Sequence, residues 1–243
     1  MRLESPTPAV RIALSVSVAT GLYGISFGAL SVAAGLNLWQ TIALSALMFT
    51  GGSQFAFIGV LAGGGAGLAA FGAATLLGVR NAIYGMQMNV MLRPRRARRF
   101  LAAHVTIDES IAVAAGQSEL TEAKRGFWWA GLGVFALWNV FTVLGAVLGD
   151  ALGDPAVWGL DGAAVAAFLA LLWPRLKSRD PVALAVVAAV VTIITIPVVP
   201  SGVPIMIAAV VAGLWGWLGS GRSAPAGDAA PGTSETETEG ERA

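Results

Sequence analysis

Residues 47–57 read LMFTGGSQFAF, and the reading of this stretch decides the fold. Met48, Phe49, Phe55 and Phe57 belong to an apolar run over about 39–62, and roughly 20 apolar residues suffice to cross a bilayer as a helix. Gly51 and Gly52 interrupt that run, each at about 1 kcal/mol of helix propensity relative to Ala. Ser53 and Gln54 then bring polar side chains to mid-membrane depth. Paired glycines followed by polar residues can break a helix, leaving a half-helix end whose free N–H groups and dipole favour a carboxylate. Close helix packing is the other use of such glycines, and the sequence leaves both readings open.

Outward from this stretch the chain stays apolar. Hydrophobic residues make up 56% and charged residues 12%, against about 25% charge in a soluble domain. Lipid is the solvent that such a composition suits. The apolar runs are long and continuous rather than alternating, which favours helices over a closed β-barrel. The expectation is an all-α polytopic membrane protein with about seven transmembrane helices, near 10–34, 39–62, 66–91, 126–149, 156–173, 182–199 and 203–219. Residues 1–220 are expected to form one membrane domain. Residues 221–243, with Glu235, Glu237, Glu239 and Glu241, form a disordered acidic cytoplasmic tail. The first run, from Val10 to Gly35, is too long for a signal-peptide core.

Basic residues orient the chain. Arg93, Arg95, Arg96, Arg98 and Arg99 mark one cytoplasmic loop, and Arg175, Lys177 and Arg179 a second. Asp150 and Asp154 suit the outside. For both basic loops to lie inside with Lys124 and Arg125, the apolar segment 100–118 must re-enter rather than cross. Counting back places the N-terminus outside, against the weaker signals of Arg2 and Arg11. The first three spans then start outside and the next three inside, the arrangement of a 3+3 inverted repeat with one span appended.

Several residues point to chemistry. Arg80 lies in LLGVRNAIYGMQMN, about a dozen residues or roughly 18 Å from the basic loop, too far to snorkel easily. A mid-membrane charge costs at least about 2.5–3.5 kcal/mol, so it needs a cavity or a counter-charge. Asn81 follows it, and Tyr84 shares its helix face. In HVTIDESIAVA, Asp108 and Glu109 point in different directions on a helix, and either could carry a proton, pair with Arg80 or bind an ammonium. Tyr23 and Phe27 lie mid-span in TGLYGISFGA, and Trp138 in the fourth span. Gly24/Gly28 and Gly145/Gly149/Gly153 are packing faces first. The absence of cysteine excludes disulfides and thiolate sites, and the single His104 excludes a multi-His metal site within one chain. Ser53 has no histidine partner in the spans. No metal, cofactor, nucleic-acid partner or enzymatic activity is expected, and no residue is assigned as catalytic.

The order GISFGAL, SALMFTGGSQF, RNAIYG, an Arg-rich loop, TIDES, WNVFTVLGAVLG and LDGAAVAAFLALL resembles the AzlC family, from about Tyr23 to Trp173. The chain departs from the family pattern at Gly78, where Asn is usual, and at Asn81, where His is frequent. The resemblance implies the large subunit of a two-component exporter of valine, leucine, isoleucine and sometimes methionine, driven by the proton gradient. It also implies a small AzlD-type membrane subunit as partner and the inner (plasma) membrane as the location. On this reading the substrate carboxylate faces the Gly51, Gly52 and Ser53 amides or Arg80, and Gln54, Asn81 and Tyr84 complete the polar wall. The ammonium faces Asp108 or Glu109, while Phe27, Phe55 and Trp138 wall the side chain. A channel built on half-helices is the rival reading.

Overall fold

The computed structural model of the protein describes residues 7–152 and 176–219, and between them residues 157, 159, 162, 165, 166, 169, 172 and 173. The expected span 156–173 lies mostly outside the described residues. So do Arg2, Gly153, Asp154 and Arg175, and the acidic tail 221–243. Every regular element among the described residues is helical: α1 (Pro8–Ala33), α2 (Leu38–Leu47), α3 (Gly52–Ala62), α4 (Gly67–Leu92), α5 (Arg98–His104), α6 (Asp108–Ala115), α7 (Leu120–Leu152), α8 (Arg179–Thr195) and α9 (Val203–Gly219). Pro8–Ala33 and Leu120–Gly149 are long and apolar enough to cross a membrane.

These two long helices form the spine. Gly21, Gly24 and Gly28 of α1 face Leu137, Trp138, Thr142 and Ala146 of α7, while Gly133, Gly145 and Gly149 of α7 face Ser17, Ile25 and Ala29 of α1. A methyl group on Gly28 or Gly145 would run into the Thr142 or Ile25 carbonyl of the opposite helix. The missing side chains therefore let the two backbones touch. Two polar side chains on this spine return to their own helix, Ser17 to the Ala13 carbonyl and Asn139 to that of Phe135. Contacting residues rise together, from Ser17/Gly133 through Gly21/Leu137 to Ala29/Gly149, so α1 and α7 run parallel. That corrects the expected opposition of spans 10–34 and 126–149, and with it the 3+3 pairing in which the first and fourth spans start on opposite sides.

The segment expected to cross once at 39–62 is two half-length helices. Asn37 and Gln40 cap α2 reciprocally, which starts it beside the C-terminal end of α1. The helix stops at Met48, and Gly51 adopts φ +63°, a conformation open to glycine at little cost. From there α3 lies against α4, with Ser53 near Gly78 at mid-length and Val60 packed on Ala70 and Ala73 near the start of α4. The far end of α4 packs Met88, Met91 and Leu92 with Phe127, near the start of α7. Helix α4 thus runs opposite to the spine, and α3 climbs back to the end where α2 began. Hydropathy cannot separate a largely apolar run over 39–62 that crosses from one that folds back.

The segment 100–118 also folds back, but from the opposite end. Helix α5 climbs from Arg98 to His104, where Val105 packs on Gly131; α6 then descends from Asp108 until Val113 reaches Gly126. Beyond α7, α8 packs on α9, and Ser201 between them donates to the Gly63 carbonyl at 2.6 Å. Met206 of α9 lies beside Gly72 of α4.

Candidate functional site

The two hairpins bring their tips together at mid-molecule. Phe49 of the first tip lies 6.0 Å from the His104 ring of the second, and both rings pack on Phe135 of α7, at 5.1 and 5.3 Å. Ile107 joins Phe49, Phe55, Phe27 and Trp138 in one buried cluster. Each tip is braced by the third residue of its outgoing helix. Gln54 accepts from the Gly51 N–H and donates to the carbonyls of Leu44 and Ser45. Ser110 accepts from the Ile107 N–H and donates to the Val105 and Ile107 carbonyls. Gln54 is fully buried, and both ends of its amide are engaged, so its side chain holds the break together.

Beside the tips, Nη2 of Arg80 stands 2.7 Å from Oδ2 of Asp108, with 23% and 17% of the two side chains exposed. Helix α4 supplies the guanidinium, and the first residue of α6 supplies the carboxylate. Nε and Nη2 of Arg80 are buried without an aligned hydrogen bond among the described residues. The contact is electrostatic, and the donor fork is not saturated. Glu109 follows, and Thr20 of α1 donates to its Oε1 at 3.5 Å. One guanidinium faces two carboxylates, so the cluster has one carboxylate more than its cation can neutralise. Such a surplus suits an ammonium or a proton.

The remaining candidates separate. Tyr23, Phe27, Phe55 and Trp138 form a stack of rings, with centroids 5.0 Å apart for Tyr23–Phe55 and 5.7 Å for Phe27–Trp138. Phe27, Phe55 and Trp138 are at most 5% exposed and belong to the core. The expected aromatic wall is packed against itself, because rings at this spacing gain more from one another than from lining a cavity. Two cavities lie instead along one stripe of α4. The larger, about 550 Å³, runs between α4 and α5 from Asn81 past Asn89 to Arg99. The smaller, about 320 Å³, lies between the first tip and α4, lined by Met48, Thr50, Ser53, Ala74, Thr75, Gly78 and Val79. Neither is lined by Arg80 or Asp108. Asn81 carries a buried Oδ1 with no described partner, and Tyr84 lies partly buried one turn beyond Arg80. Gly51 and Gly52 form the first bend and the start of α3. Thr20, Ser110 and, apart from Ser53, the lining of the smaller cavity escaped the sequence reading as site residues. Only Ser110 carried a signal, its capping spacing from Ile107.

The AzlC protein family matches residues 15–152, more than half of the chain. No curated protein and no solved structure matches it. The matched stretch holds nearly all of the spine, both hairpins, and the Arg80–Asp108 pair with Glu109 beside it. The chain therefore belongs to the AzlC family, transport-associated membrane proteins linked to branched-chain amino acids and to a small partner subunit.

Proposed function

We propose that the chain is the large subunit of a two-component secondary transporter that exports valine, leucine and isoleucine, with methionine as a further candidate, across the plasma membrane. One observation carries this reading: two half-length hairpins from opposite ends meet beside an unsaturated guanidinium and a surplus carboxylate. Half-helix ends at mid-depth are where transporters hold small charged substrates. An amino acid zwitterion offers a carboxylate to α3 or Arg80 and an ammonium to Glu109 or Asp108. A proton on the surplus carboxylate would couple export to the proton gradient. No nucleophile–base pair or metal enters this scheme.

The parallel spine revises the orientation. Arg11, the Arg93–Arg99 loop, Lys124 and Arg125 all belong to the end from which α1 and α7 start. On the positive-inside rule that end is cytoplasmic, and the N-terminus lies inside. Helices α1, α4, α7, α8 and α9 then cross the membrane. The α2–α3 hairpin re-enters from outside and the α5–α6 hairpin from the cytoplasm.

Cells fed dipeptides, with and without the neighbouring small subunit, test the function. Saturable export that collapses with the proton gradient and needs both subunits is expected. Passive conductance would replace the transporter with a channel. Single cysteines in this cysteine-free chain test the orientation. Positions 11 and 96 should be shielded from an impermeant reagent, and position 64 should react. Labelling of position 11 from outside would restore the opposite orientation.

A further inference from the structure

The smaller cavity sits at the N-terminal end of α3, which spans 11 residues. The first N–H groups of a helix lack intrahelical partners. The first residues of α3, Gly52 and Ser53, present theirs at the bend. Ser53 is 1% exposed, yet its Oγ has no hydrogen-bond partner among the described residues. A buried hydroxyl without a partner loses about 1–3 kcal/mol, unless something enters to bond it. The space is there: a methyl on Gly78 would stand 3.4 Å from that Oγ, and both residues line the cavity.

The walls divide by chemistry. Thr50, Ser53 and Thr75 bring hydroxyls, while Met48, Ala74 and Val79 bring methyl and thioether surface. No charged side chain lines the cavity. The Thr50 and Thr75 hydroxyls already donate to the carbonyls of Met48 and Phe71, which leaves Ser53 as the free donor. A volume of 320 Å³ falls at the small end of the roughly 300–1,000 Å³ usual for ligand pockets.

We infer that this cavity binds a short, branched aliphatic carboxylate. The Ser53 N–H and hydroxyl hold the carboxylate, and Met48, Ala74, Gly78 and Val79 set the size of the alkyl group. The inference rests on the transport reading for the identity of its ligand and refines it: selectivity resides here and not in the Phe27–Phe55–Trp138 stack. Glycine at 78 is the feature that keeps room for the longest chain.

The test uses full-length protein with its small subunit in membrane vesicles. Binding of leucine, valine, the keto acid of leucine (carboxylate without ammonium) and isoamylamine (ammonium without carboxylate) is compared. Leucine, valine and the keto acid are expected to bind, and isoamylamine not. Ser53→Ala should weaken all three carboxylates about fivefold, the worth of one net hydrogen bond. Gly78→Ala and the bulkier Gly78→Val should lower the leucine-to-valine preference about tenfold, the discrimination one methylene supplies. An unchanged preference in both Gly78 variants, with normal membrane levels, would overturn the inference while leaving export intact. Binding of the keto acid that depends on Ser53, without export of any branched-chain amino acid, would keep the site and sink the transport reading. Binding of none of the four would sink both.

Discussion

The two hairpin tips share a geometry and differ in charge. Each is a break of a few residues between half-length helices, stitched by a side chain on the third residue of the outgoing helix: Gln54 in one, Ser110 in the other. Helix α6 opens with Asp108 and Glu109, so its positive end is met by carboxylates of its own chain. Helix α3 opens with Gly52 and Ser53 and has no acidic residue in its first turn. One tip carries its own carboxylates and is tied to Arg80; the other has no carboxylate of its own. On the inference above, similar backbones serve as a charged anchor and as a carboxylate receptor.

The largest effect is expected where the anchor is cut. Arg80→Ala leaves Asp108 without its cation and should abolish export while the protein still inserts, because removing the charge relieves the insertion cost. Stability should fall by less than the roughly 3–5 kcal/mol of a fully buried pair, since both side chains are partly exposed. Arg80→Lys should remain impaired, because a point charge does not reproduce the planar fork. Near-normal, proton-coupled export by Arg80→Ala would remove the anchor from the mechanism.

Exchanging the character of the tips comes next. Ser53→Asp gives α3 the internal carboxylate that α6 has, and should suppress leucine binding while membrane levels hold. Undiminished binding would mean that the α3 amides are not the receptor. Within the anchor, Asp108 pairs with Arg80 at 2.7 Å and Glu109 accepts from Thr20 at 3.5 Å, so on the proposed function the coupling proton is expected on Glu109. Glu109→Gln should flatten the pH dependence of export, whereas Asp108→Asn should lower export with the pH dependence retained. The opposite ranking would place the coupling proton on Asp108.

The smallest effect concerns the stitches. Gln54→Leu leaves the Gly51 N–H and the Ser45 carbonyl without this partner and removes one of the two donors to the Leu44 carbonyl, at about 1–3 kcal/mol for a buried group left unsatisfied. Ser110→Ala should cost a similar amount at the other tip. Thermal unfolding in detergent measures both. A Gln54→Leu protein as stable as the parent would show that the first break stands on packing alone.

Much of this was legible in residues 1–152. Apolar runs located α1, α4 and α7, the Gly51–Gly52 pair located the first break, and the depth of Arg80 flagged a counter-charge. Direction was not legible. Whether 39–62 crosses depends on where α3 packs, and only Val60 against Ala70 and Ala73 decides that. Arg11 agrees with the orientation proposed here but was outweighed by a count that took the hairpin for a crossing. The packing of Phe27, Phe55 and Trp138 on one another was not legible for a related reason: a sequence places rings at the same depth without saying whether they face a void or one another. The smaller cavity was hidden because its lining comes from the first tip and from α4, and only folding brings Met48 to Val79.

The parallel spine carries a consequence for how the protein is made. Antiparallel neighbours can pair as soon as the second emerges from the ribosome, but α1 must wait for α7, whose last contact, Gly149 on Ala29, lies 120 residues downstream. Until then the glycine-lined face of α1 has no companion, and both hairpins insert before the helix that fixes their tips exists. Assembly of this membrane domain is therefore dominated by a late, long-range closure, the slowest kind of contact for a growing chain to make.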